Sequence, residues 1–169
     1  MTRLSKQRGV GVVEVLIALL ILMLGVLGFV VLQYRAVEAT SEGGTRIQAI
    51  NIARDFAERI RVNRGSIATY VTELQSAKDQ STSSKNCSKE ECTASEMADY
   101  DVAQIVKSAG NVGMAVNLIG CPSNSDNRQC IYVAWGATAP TNGLNKDEGD
   151  CTLGTAYVPT STCLIMEVY

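Results

Sequence analysis

The chain has 169 residues, 46% of them hydrophobic, which is enough to bury one modest core, so a single folded domain with an N-terminal appendage is expected. Its net charge of -2 argues against a sequence-independent grip on nucleic acid, which needs many Lys and Arg against phosphate. The absence of histidine removes Ser-His-Asp hydrolysis, Cys-His proteolysis and most catalytic zinc chemistry.

Charge is unevenly placed. Residues 1–9 carry Arg3, Lys6 and Arg8 with no acid, whereas residues 63–169 carry seven basic against twelve acidic groups. Between them runs VGVVEVLIALLILMLGVLGFVVL, from Val10 to Leu32, whose only charge is Glu14. As a helix, the uncharged part from Val15 onward is about 27 Å long at 1.5 Å per residue. That length crosses a bilayer core of about 30 Å with help from its flanks. The basic flank predicts that the start stays cytoplasmic and the rest is exported. All six cysteines, Cys87, Cys92, Cys121, Cys130, Cys151 and Cys163, lie on the exported side, and their even number reads as disulfides in an oxidising compartment.

An ordinary secretory signal has a shorter apolar region and a small-residue cleavage site at its far end. Here the marked features crowd the near end: a basic leader, Gly9 directly before the apolar run, and one carboxylate five positions later. KQRG followed by VGVVEVLIALLIL resembles the type IV prepilin signal. The resemblance implies that a dedicated prepilin peptidase cuts after Gly9, that Val10 becomes a methylated N-terminus, and that Glu14 is the acid that meets the N-terminal amine of a neighbouring subunit. The physics agrees, because a carboxylate in hydrocarbon persists only with a partner or a function, and the first turn of a helix favours an anion. Taken alone, Glu14 is equally a cap on a membrane helix near the interface. Val10 departs from the phenylalanine usual at the first mature position, and the run lacks the family's frequent proline. Gly25 and Gly28 share one helical face and suit close packing of another helix.

Beyond Leu32 a helical period continues in Ile47, Ile50, Ala53, Ala57 and Ile60, predicting an amphipathic stem whose apolar stripe packs on the head. Arg54 with Glu58, and Asp55 with Arg59, are opposite charges four apart, each adding about 0.2–0.5 kcal/mol on an exposed face. Gly43-Gly44 interrupts the stem as a bend or unwound joint. Residues 76–95 are a polar loop holding Cys87 and Cys92. Thr93-Ala-Ser-Glu96 fits a capping box, so a helix is expected from about Ala94 to Ala109, with Ala98, Val102, Ile105 and Val106 on its buried face. Val112–Ile119, Ile131–Ala137 and Cys163–Tyr169 read as strands of one antiparallel sheet.

Cys121 and Cys130 bracket one polar connection, and Cys151 and Cys163 the next irregular stretch. Six cysteines permit fifteen pairings. The pairing favoured is Cys87–Cys92, Cys121–Cys130 and Cys151–Cys163, closing short loops worth about 3 kcal/mol for fifteen residues on the entropic account. A metal site is the lesser reading, since paired C-x-x-C hooks are missing. Trp135 reads as core, and Asp147-Glu148-Gly149-Asp150 as a solvated acidic loop rather than a calcium site. No cofactor is implied.

A long helix on a small antiparallel sheet with disulfide-tied loops, an α+β arrangement, resembles the pilin fold. The expected layout is leader 1–9, filament-core helix 10–32, stem 33–62 and head 63–169. Cys87-Ser-Lys-Glu-Glu-Cys92, Met97-Ala-Asp-Tyr-Asp101 and Tyr132-Val-Ala-Trp135 are similar to the minor pilins of the type IV pilus modification (PilV) kind. That resemblance implies a single-pass inner-membrane protein with a periplasmic head, later part of a surface pilus. Its implied partners are other pilin subunits, the peptidase and the assembly machinery, with no enzymatic role and no nucleic acid. A pseudopilin of type II secretion shares the same signal. A membrane-anchored enzyme or binding module with an unprocessed start is the alternative of another class.

Overall fold

The computed structural model describes residues 11–75, 80–122, 126–143 and 149–168. The chain divides into two compact units, Met1–Gly44 and Thr45–Tyr169. Helix α1 (Val12–Val62) runs through both as 51 residues of α-helix. The double glycine Gly43-Gly44, expected to bend or unwind the stem, is helical instead. A helical glycine costs only about 1 kcal/mol against alanine, and long helical flanks on both sides outweigh that.

In the second unit the end of α1 buries Ala49, Ile52, Ala53, Phe56 and Ile60, recurring at three- and four-residue steps. Ala53 and Ile60 are buried as expected and Ala57 packs at the margin, but Ile47 is 60% exposed and Ile50 only half-buried, while Ala49, Ile52 and Phe56 take places the sequence stripe did not include. The helix stops at Asn63, whose φ of -118° and ψ of 42° leave the helical region, and a 3₁₀ turn at Arg64–Ser66 leads into α2 (Ile67–Gln75). Tyr70 and Leu74, four apart on α2, point into the core.

Helix α3 (Ala94–Gly110) starts on the expected capping box. The Glu96 amide donates to the Thr93 hydroxyl at 3.3 Å, and the Thr93 amide donates to the Glu96 carboxylate at 2.7 Å. Those bonds hold the Glu96 carboxyl below its ordinary range. Ala98, Val102 and Ile105 are buried as expected, and Asp101 and Ala109 join them.

Three strands, β1 (Met114–Gly120), β2 (Gln129–Trp135) and β6 (Cys163–Val168), form the expected antiparallel sheet in the order β1-β2-β6. Val116 faces Val133 across one pair and Ile131 faces Met166 across the other. Being central, β2 is buried on both faces and so reads as a continuous apolar run. One face, with Met114, Val116, Leu118, Ile131 and Val133, closes the main core against α1, α2 and α3. Phe56 and Tyr70 meet edge-on in it, with ring centroids 5.8 Å apart. Fully burying each such side chain contributes about 1.5–3 kcal/mol. Half-buried Trp135 packs against this core from the strand end.

The opposite face carries a smaller cluster of Cys130, Tyr132, Ala134, Cys151 and Cys163. Over it lies a second sheet that the sequence did not announce: β3 (Ala139–Gly143), β4 (Asp150–Leu153) and β5 (Ala156–Tyr157), with β3 and β4 parallel. Asn117 on β1 fastens it by donating to the Pro140 carbonyl at 3.1 Å.

Candidate assembly helix and head anchorage

The first unit contains Gly11 and α1 up to Gly44; Gly9 and Val10, the expected processing site, lie outside the described residues. From Val12 to Leu32 every large apolar side chain of α1 is at least half exposed. The most apolar 18-residue window has a mean hydropathy of 3.2 with none of it buried. A soluble surface does not carry a contiguous apolar face of this extent without a partner or a lipid around it. Glu14 sits in the first turn, its amide donating to the Gly11 carbonyl at 2.9 Å, and is the only charged residue of that run. The helix N-terminus is the end that favours a negative group.

All six cysteines belong to the second unit and are paired as Cys87–Cys92, Cys121–Cys130 and Cys151–Cys163, with Cα separations of 5.6, 4.9 and 5.8 Å. These pairs coincide with the pairing favoured from the sequence. The first ties the loop before α3, the second closes the β1–β2 hairpin, and the third ties β4 to the start of β6. Asp147 and Glu148 of the acidic stretch lie outside the described residues. Asp150 opens β4 and accepts a hydrogen bond from the Thr141 hydroxyl.

A polar cluster absent from the sequence reading fastens the end of α1 to the rest of the head. The Arg59 guanidinium donates to one Asp101 oxygen at 2.8 Å, and the Tyr70 hydroxyl donates to the other at 2.8 Å. Arg59 also holds Asp55 at 3.0 Å, the one expected stem pair that forms as written, while Glu58 is paired with Arg61. Asn63, at the break after α1, donates to the Ala94 carbonyl at 2.6 Å. One carboxylate on α3 therefore receives donors from α1 and α2 together. The signal that could have found it is an acid inside the α3 stripe, three residues after Ala98 and four before Ile105.

Burial pushes the Tyr70 phenol above its ordinary value near 10, and its bond to Asp101 pushes the same way. Burial alone would lower the Arg59 pKa, but its hydrogen bonds to Asp55 and Asp101 outweigh that and raise it. Because the folded state disfavours ionised Tyr70, its contribution to stability is complete below pH about 10 and falls as pH climbs beyond it, where the unfolded chain ionises first. Tyrosinate absorbance followed against pH is expected to show Tyr70, and with it buried Tyr132, ionising above the ordinary tyrosine value near 10. Tyr70→Phe should remove one late-titrating group; an unchanged late phase would refute the assignment.

The comparisons with known proteins point the same way. A family model described as Type IV pilin Tt1218 (Tt1218-like) matches residues 31–103. Over that segment the chain is similar to type IV pilins. The matched segment holds the end of the apolar run, the stem, α2, the Cys87–Cys92 loop and most of α3, so it lies beyond KQRG-VGVVEVLIALLIL, the N-terminal stretch that resembles a prepilin signal. Two separate parts of the chain thus carry the same likeness. No curated protein and no solved structure matches the chain. The α+β architecture, a long N-terminal helix with an antiparallel sheet and three disulfides, is that of a pilin-like protein, and its exposed apolar helix fits a membrane and a pilus.

Proposed function

We propose that this pilin-like chain is a minor subunit of a type IV pilus, of the pilus modification (PilV) kind, acting by assembly rather than catalysis. The observation that carries the reading is the run of α1 from Val12 to Leu32, apolar and exposed throughout, with one acid in its first turn. In the proposed pathway the basic leader stays cytoplasmic, the peptidase cuts after Gly9, and the subunit waits in the inner membrane with its head in the periplasm. Assembly machinery then moves the helix from lipid into the filament core. Apolar contacts replace apolar contacts in that transfer, so the hydrophobic effect neither drives nor opposes it strongly. Direction and register must come from elsewhere, and Glu14 against the Val10 amine of a neighbour supplies them by charge pairing in a dry setting.

The intact mass of the protein from its native host tests this. The expected result is a chain beginning at methylated Val10. An intact Met1 end, or cleavage beyond Leu32, would remove the basis of the reading. A deletion strain separates the pilus reading from the pseudopilin one: surface pili or twitching are lost in the first case, exoprotein secretion in the second.

A further inference from the structure

We propose that Asn86 is the acceptor of an N-linked glycan on the head. The tripeptide Asn86-Cys87-Ser88 is the one Asn-x-Ser/Thr sequence in the chain, although asparagine occurs at eight other positions. Such a tripeptide is a meaningful acceptor only on an exposed segment of an exported protein. Export is part of the assembly reading above, and the inference rests on it. Exposure is a property of the fold: Asn86 and Ser88 to Glu91 are exposed, in the loop between α2 and α3.

The loop is also built. The Cys87–Cys92 disulfide closes it, and the Lys89 and Glu90 amides donate to the Asn86 carbonyl at 3.0 and 3.2 Å. The Ser88 amide and hydroxyl both donate to Asn86 Oδ1, at 3.1 and 2.6 Å. The hydroxyl that defines the acceptor sequence is therefore held against the acceptor side chain, while no acceptor among the described residues engages Asn86 Nδ2. The amide nitrogen is left for an incoming group, and Ser88 is a positioning residue.

The co-reactant is a lipid-diphosphate-linked sugar, presented by a membrane transferase beside the subunit. Asn86 Nδ2 attacks the anomeric carbon, the bond from that carbon to the phosphate oxygen breaks, and the lipid diphosphate leaves. The proton lost from Nδ2 passes to a base of the transferase. No electrons are exchanged.

The test uses the full chain from its native host, extracted in detergent, by intact mass and peptide mapping. Added mass of one or more sugars is expected on the peptide holding Asn86. It should be lost entirely in Asn86→Gln and in Ser88→Ala, and retained in Ser88→Thr, with three disulfides counted in every variant. A sugar-free native chain overturns the acceptor assignment, as does mass that persists in Ser88→Ala. The N-terminus read from the same spectrum judges the assembly reading separately: a sugar-free chain starting at Val10 sinks the glycan alone.

Discussion

Glu14→Ala is expected to cut incorporation into filaments by about 10- to 100-fold while leaving the head folded. The magnitude follows from the interaction at stake, since a hydrogen bond to a charged group is worth about 1.5–3 kcal/mol and each 1.4 kcal/mol is a tenfold change. Loss of the carboxylate also leaves the neighbour's amine unmatched in an apolar surrounding, which adds to the penalty. The head does not depend on Glu14, because the side chain is exposed in the first unit and takes no part in either hydrophobic cluster. Quantitative immunoblotting of sheared pili against the membrane fraction measures the effect. Wild-type incorporation in the variant would reject charge pairing as the source of register. Glu14→Asp, one methylene shorter, should fall between the two, and Glu14→Gln should resemble alanine if charge rather than hydrogen bonding decides.

The second large effect lies in the head. Asp101→Ala should destabilise it by about 2–4 kcal/mol, between the cost of an unmet buried polar group and that of a broken buried ion pair. Both the Arg59 guanidinium and the Tyr70 hydroxyl lose their acceptor, and the Asp101 side chain is only 9% exposed, so water does not replace it fully. Arg59 retains Asp55 and is 32% exposed, which keeps the cost below the upper limit for a fully buried pair. Urea unfolding of the full chain in detergent gives the value. A double variant, Arg59→Met with Asp101→Leu, is expected to recover part of the loss because no orphaned charge remains. A midpoint unchanged in Asp101→Ala would show that the cluster does not hold the head together.

The sequence was most readable where one signal ran over many residues or several signals coincided. The apolar run of α1 needs no tertiary information, and α3 is marked by the Thr93–Glu96 box at one end and Gly110 at the other. β2 reads clearly because a strand covered on both faces is apolar throughout. The stem stripe was legible only in part. Ile47 and Ile50 attract a hydropathy reading, but the core takes in Ala49, Ile52 and Phe56 beside the expected Ala53 and Ile60. Helix α2 went unread because IATYVTELQ is only about two and a half turns long and holds several β-branched residues; its helicity comes from seating Tyr70 and Leu74. The strands β3, β4 and β5 lack alternation and contain Pro, Thr, Asn and Gly, so they are ordered by the sheet beneath and by the Cys151–Cys163 bridge. The Asp101 cluster was hidden because sequence periodicity locates apolar faces and says nothing of which acid is turned inward.

The placement of β2 between two unequal layers has a consequence for how this protein can change. The end of α1, α2 and α3 pack on one side of the sheet, and strands β3, β4 and β5 lie on the other, with β4 tied to β6 by the Cys151–Cys163 bridge. Changes on that side leave the core between the sheet and the helices untouched, so if the chain assembles as proposed, the β3–β5 layer is where one subunit can take on a new surface while its means of joining a fibre is kept.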